Sequence, residues 1–154
     1  MAPRVGDPAP DIVLPSTDGG SVSLGGTEGE RLVLYFYPKD GTPSCTREAI
    51  DFDALAEDFA RAGTRVVGIS PDGLKRHEKF KAKHGLGLVL AADEERRAID
   101  AYGLWVEKSL YGLRYMGVER TTVLIGPDRR IARIWSKVRV KGHAAEVLEA
   151  ARTI

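Results

Sequence analysis

Apolar and polar positions fall into distinct blocks along the chain. Residues 32–37 (Leu-Val-Leu-Tyr-Phe-Tyr) are apolar throughout and bounded by turn formers, the pattern of a strand covered on both faces. From Thr46 the period lengthens. Ala49, Phe52, Ala56, Phe59 and Ala60 recur at three- and four-residue steps up to Gly63, which predicts one amphipathic helix closed by a glycine. Residues 65–70 (Arg-Val-Val-Gly-Ile-Ser) predict a second strand, and Ser70-Pro71 an N-cap with proline opening a helix that reaches about His84. Residues 87–91 predict a third strand, and residues 94–102 contain a short helix. Residues 121–125 and 130–135 flank the turn Gly126-Pro-Asp-Arg129 and predict an antiparallel hairpin. Ala144, Val147, Leu148 and Ala151 place one apolar stripe on a last helix. The first 30 residues are rich in Gly, Pro and Asp and hold only short alternating pieces such as Ser21-Val-Ser-Leu24, a hairpin-like lead-in. Residues 105–117 show no clear period and receive no element.

Strands separated by helices require right-handed crossovers and a parallel sheet, to which the late hairpin adds an antiparallel part. The expected fold class is therefore α/β: a central mixed β-sheet flanked by helices, with an N-terminal β extension. This order of elements resembles the thioredoxin fold. With 154 residues, 43% hydrophobic and 29% charged, the length suits a single domain spanning 1–154. Lys and Arg total 23 against 22 acids, so the formal charge of +1 offers no field for nucleic acid. No apolar run approaches the roughly 18 residues of a membrane span, and the first residues lack a secretory apolar region. Neither a nucleic-acid nor a membrane partner is expected, and the expected location is cytoplasmic.

Only one cysteine, Cys45, is present, so redox chemistry must run through a single sulfur. It falls where the first apolar strand gives way to the first long helix, in Pro38-Lys-Asp-Gly-Thr-Pro-Ser-Cys45. Ligand sites in open α/β sheets gather beyond the carboxyl ends of the strands. Unpaired N–H groups and the positive end of the helix dipole favour a thiolate there. Pro38 and Pro43 stiffen the approach, and Thr42 can curl its hydroxyl back over the sulfur as an N-cap-like group.

Pro38, Thr42 and Cys45 match the Pro-x-x-x-Thr-x-x-Cys motif of peroxiredoxins. The wider stretch Tyr35-Phe-Tyr-Pro-Lys-Asp-Gly-Thr-Pro-Ser-Cys-Thr-Arg-Glu-Ala49 resembles the bacterioferritin-comigratory, or Q-type, subgroup. The likeness continues through Val67-Gly-Ile-Ser-Pro-Asp72, Tyr115-Met-Gly-Val-Glu-Arg-Thr-Thr122 and the last helix. It implies thiol-dependent reduction of hydrogen peroxide and organic hydroperoxides. By the same resemblance Cys45 is the peroxidatic nucleophile, with Arg120, Thr42 and Pro38 completing the site, and the chain is a monomer. Ionisation of the thiol alone supplies only a few-fold of rate, because nucleophilicity falls as the thiolate becomes easier to form. The rest must come from groups that polarise the O–O bond, as the Thr42 hydroxyl and the Arg120 guanidinium could. Glu48 could brace that arginine or could be an acid favoured by the helix dipole.

Many members of the subgroup carry a second, resolving cysteine five residues after the first. Here that position is Ile50. Recycling must then draw on an external thiol, whether thioredoxin, glutaredoxin or a small molecule. No cofactor or metal is expected, since His77, His84 and His143 form no zinc spacing and read as exposed helix positions. The alternating Lys137-Val-Arg-Val-Lys141 reads as a solvated edge strand. Trp105 and residues 111–115 read as core or rim packing. An alternative function stays open: a non-catalytic thioredoxin-like sensor, relay or holdase module using the same sulfur slowly.

Overall fold

Alternation along β3 (Arg31–Phe36) sends its side chains to two opposite faces, and the molecule has two cores as a result. The computed structural model describes residues 2–154. Leu32, Leu34 and Phe36 enter one cluster with Val67, Ile69, Ile99, Tyr102 and Val123. Val33 and Tyr35, with Tyr37 just beyond the strand, enter the other with Cys45, Phe52, Phe59, Phe80 and Val147.

The remaining elements follow in chain order. A hairpin of β1 (Val13–Ser16) and β2 (Gly20–Ser23) precedes β3. Then come α1 (Pro43–Ala54), α2 (Ala56–Arg61), β4 (Thr64–Ser70), α3 (Leu74–His84), β5 (Val89–Ala92) and α4 (Arg97–Ala101). A second hairpin, β6 (Trp105–Leu110) and β7 (Leu113–Val118), leads to β8 (Thr121–Ile125), β9 (Ile131–Trp135) and α5 (His143–Arg152). Seven strands form one mixed sheet in the order β2-β1-β5-β4-β3-β8-β9. β3, β4 and β5 run parallel, while β8 lies antiparallel to β3 and pairs with β9. The expected mixed sheet with an N-terminal β extension is present.

Several elements differ from the sequence pattern. The helix predicted from Thr46 to Gly63 starts earlier, at Pro43, and divides at Leu55 (φ −101°, ψ 11°). That irregular turn lets α1 pack on α5 while α2 carries Phe59 onto β4. Ser70 does not cap a helix. Its hydroxyl binds the Asp72 carboxylate and accepts from the Asp72 N–H, forming a local turn that delays α3 until Leu74. β6 and β7 had no readable period because most of their side chains are exposed on both faces. The run Lys137–Lys141 is a loop rather than a strand. Two histidines expected at the surface are buried, His77 completely and His143 nearly so, whereas His84 is partly exposed.

One glycine is required by close packing. Gly68 stands between Tyr35 and Leu90 in the parallel ladder. A Cβ there would lie 2.6 Å from the Tyr35 ring and 2.8 Å from Leu90, so one of these two fully buried side chains would have to shift in a packed core. Gly68→Ala is expected to lower stability by about 1–3 kcal/mol, seen as a lower urea midpoint at unchanged slope. His143 gives a second expectation. Its Nε2 shares a 2.8 Å hydrogen bond with the Thr122 hydroxyl, and its ring meets Phe52 and Trp135 edge-on. Burial pushes the imidazole down to about 4. The folded protein then binds fewer protons than the unfolded chain between pH 4 and 6.5. The stability His143 contributes is complete above pH 6.5 and is lost as the pH falls toward 4. NMR titration of its ring signals should give a midpoint near 4, and a midpoint near 6.5 would contradict this packing.

Candidate active site

The sulfur of Cys45 is placed by a change of secondary structure. β3 ends at Phe36, residues 37–42 turn, and Pro43 opens α1 with its φ already suited to a first helical position. Thr46 donates to the Thr42 carbonyl, the first bond of the helix, so the N–H groups of Ser44 and Cys45 have no helical carbonyl to meet. Cys45 thus lies inside the first turn, beside free donors and the positive end of the dipole. Its side chain is only 1% exposed.

Arg120 reaches this sulfur from across the chain. It stands between β7 and β8, and its Nη2 donates to Cys45 Sγ at 3.2 Å. Nη1 pairs with Glu48 Oε1 at 2.6 Å. Glu48 lies one turn after Cys45 on α1 and is 1% exposed, so of its two sequence readings the brace is the one realised. Burial pushes the Glu48 carboxyl up to about 7, against the pull of Arg120. Burial alone would lower Arg120, but Glu48 and Cys45 outweigh it and hold the guanidinium above its ordinary range. The arginine is therefore a fixed positive charge shared between a sulfur and a carboxylate.

Pro38 and Thr42 share the loop that delivers Cys45, both half-buried. Thr42 occupies the N-cap position, but its hydroxyl makes no cap bond. It donates instead to the Lys39 carbonyl at 3.3 Å. Two features of the site were not readable in the sequence. The basic loop 137–141 backs the arginine, Val138 N–H donating to the Arg120 carbonyl at 3.0 Å. Lys108 of β6 is partly buried, and that burial lowers its ammonium, with Arg120 adding to the effect and Cys45 opposing it. No sequence signal pointed to it, since Lys108 stands between two polar residues, Glu107 and Ser109. Ile50, where the sequence resemblance would put a second thiol, is 40% exposed on α1.

Residues 5–134 match the AhpC/TSA family. Peroxiredoxin Bcp of Bacillus subtilis is 44% identical over 149 residues, covering 97% of this chain and 95% of its own. A solved structure of the Xanthomonas campestris bacterioferritin comigratory protein, described for its alkyl peroxide reduction activity, is 37% identical. It superposes with a TM-score of 0.88 and covers 97% of this chain and 98% of its own. A cysteine-to-serine mutant of Xylella fastidiosa PrxQ gives 0.92 at 34% identity, covering 99% and 98%. With a cysteine in the first turn of α1 and an arginine meeting at one point of a thioredoxin-like sheet, this chain belongs to the AhpC/TSA family, among the peroxiredoxins of the Bcp/Q group.

Proposed function

We propose that the chain is a thiol-dependent peroxidase in which Cys45 is the nucleophile. The observation that carries this reading is the 3.2 Å contact between Arg120 Nη2 and Cys45 Sγ, braced from behind by Glu48. A guanidinium there stabilises the thiolate and lies beside the oxygens of a bound hydroperoxide. The thiolate attacks the terminal oxygen, an S–O bond forms, and the O–O bond breaks with its electrons passing to the leaving oxygen. That oxygen departs as water or an alcohol after taking up a proton, leaving Cys45 as sulfenic acid. Thr42 would accept the peroxide's proton or donate to one of its oxygens, and Pro38 would stiffen the loop on which both depend.

The substrates are hydrogen peroxide and organic hydroperoxides. The Xanthomonas relative's alkyl peroxide activity supports the second class. Because Cys45 is the only cysteine, the sulfenic acid condenses with an external thiol, releasing water and forming a mixed disulfide. A second thiol then restores Cys45 and leaves as a disulfide. Thioredoxin, glutaredoxin or a small thiol would serve as this reductant, and the chain acts as a monomer. A sensor or relay using the sulfur slowly would not need a buried arginine held against it.

Peroxide consumption with dithiothreitol as reductant is expected for the wild type and is expected to vanish in Cys45→Ser. Equal consumption by both proteins would sink the assignment. Arg120→Met is expected to slow the second-order oxidation of Cys45 by more than about tenfold, the penalty of losing a charge-stabilising donor. Stopped-flow traces matching the parent would remove the arginine from the mechanism.

A further inference from the structure

Beneath the loop that carries the site lies a buried polar cluster that the chemistry above does not use. His77 of α3 is fully buried. Its Nδ1 is 2.6 Å from Asp40 Oδ2, and its Nε2 is 3.0 Å from the Ala91 carbonyl oxygen on β5. The Tyr37 hydroxyl donates to Asp40 Oδ1 at 2.6 Å. The Asp40 N–H donates to Asp72 Oδ2 at 2.8 Å, which also accepts from Ser70 Oγ, while Arg76 pairs with Asp72 Oδ1 at 3.0 Å. The Asp40, Asp72 and His77 ligand atoms lie within 4.8 Å of one another, as a cation site would need. Each of those atoms, however, already has a partner in the chain.

The proton inventory follows from the partners. A carbonyl oxygen only accepts, so His77 Nε2 carries hydrogen. The Nδ1 and the Asp40 carboxylate meet at 2.6 Å, so one proton lies between them. Tyr37 donates to the other oxygen of the same carboxyl group, so tyrosine, aspartate and histidine form one hydrogen-bonded chain. Such a pair is costly to bury unless its polar atoms are satisfied, and here they are.

Asp40 lies midway along the loop, between Pro38 and Thr42. Gly41 beside it has φ +88° and offers no stiffness. Among the described residues, every hydrogen bond from residues 38–42 to the protein outside α1 and the loop itself passes through Asp40. We infer that the Asp40–His77 pair is the positioning device of the active-site loop, pinning its middle to α3 and β5 so that Thr42 and the first turn of α1 hold their places around Cys45. This rests on the peroxidase reading of the site. Asp40 and His77 act through the loop and touch no reacting atom.

The test measures second-order oxidation of Cys45 by hydrogen peroxide in the full-length protein, with the sulfenic acid trapped by dimedone and counted by intact mass. Asp40→Ala and His77→Ala are expected to slow it by about ten- to a hundredfold, the cost of misplacing reacting groups by an ångström or so. Asp40→Asn should restore the rate to within a few-fold. Its Oδ1 still accepts from Tyr37, its Nδ2–H donates to Nδ1, and Nε2–H still donates to Ala91. An asparagine variant as slow as the alanine one, or a His77→Ala protein as fast as the wild type, overturns the inference. Nitrogen-15 spectra of the wild type provide a readout independent of variant folding. The His77 Nδ1 signal should be that of a hydrogen-bonded nitrogen, and one free of any hydrogen bond would refute the pair. A wild type that peroxide fails to oxidise would instead condemn the peroxidase reading and leave the ring spectra standing.

Discussion

The guanidinium of Arg120 is held by two groups of opposite nature, a sulfur at 3.2 Å and a carboxylate at 2.6 Å, and both belong to the first two turns of one helix. That shared cation joins the late part of the sheet to the strand-to-helix junction seventy-five residues earlier. Burying Glu48 and Arg120 together is costly in a low-dielectric interior, and one Glu48 oxygen, Oε2, has no hydrogen-bond partner among the described residues. Such a pair is weak evidence for stability. It is better understood as a means of aiming the arginine, since a planar donor braced along one edge presents the other in a fixed direction.

The rest of the architecture serves this meeting point. The parallel ladder β3-β4-β5 brings the carboxyl ends of three strands to one side. Placing β8 antiparallel to β3 returns the chain beside that end, so the residue just before β8 arrives over the start of α1. Tyr35, whose ring lies over Gly68 and stacks on Phe52 at 4.6 Å, fixes α1 against the sheet directly behind the sulfur. Local sterics at one glycine thus decide how closely the helix approaches.

The core strands were legible because each is apolar on both faces, a pattern no surface element shares. Cys45 was legible because its motif is local. Arg120 could be named only through family resemblance, since seventy-five residues separate it from the sulfur and no spacing links them. The buried histidines were misread for a related reason. A polar α3 suggested exposure, yet His77 finds its partners on the loop and on β5, elements that no periodicity along its own helix reveals. The hairpin β6–β7 escaped because it buries little on either side. Leu110, Tyr111 and Leu113 at its tip stand largely in solvent, so no core imposes an alternation on them.

Ile50 turns outward on α1 at the position where the sequence resemblance would put a second thiol, and Cys45 is the only cysteine in the sequence. Without an intramolecular trap, the oxidised sulfur waits for a molecule that must arrive by diffusion. The lifetime of that state then varies inversely with the thiol concentration of the surroundings and becomes a property of the medium as much as of the protein. On the proposed peroxidase reading, a scarcity of thiols would lengthen that wait and leave the sulfenic acid open to further oxidation.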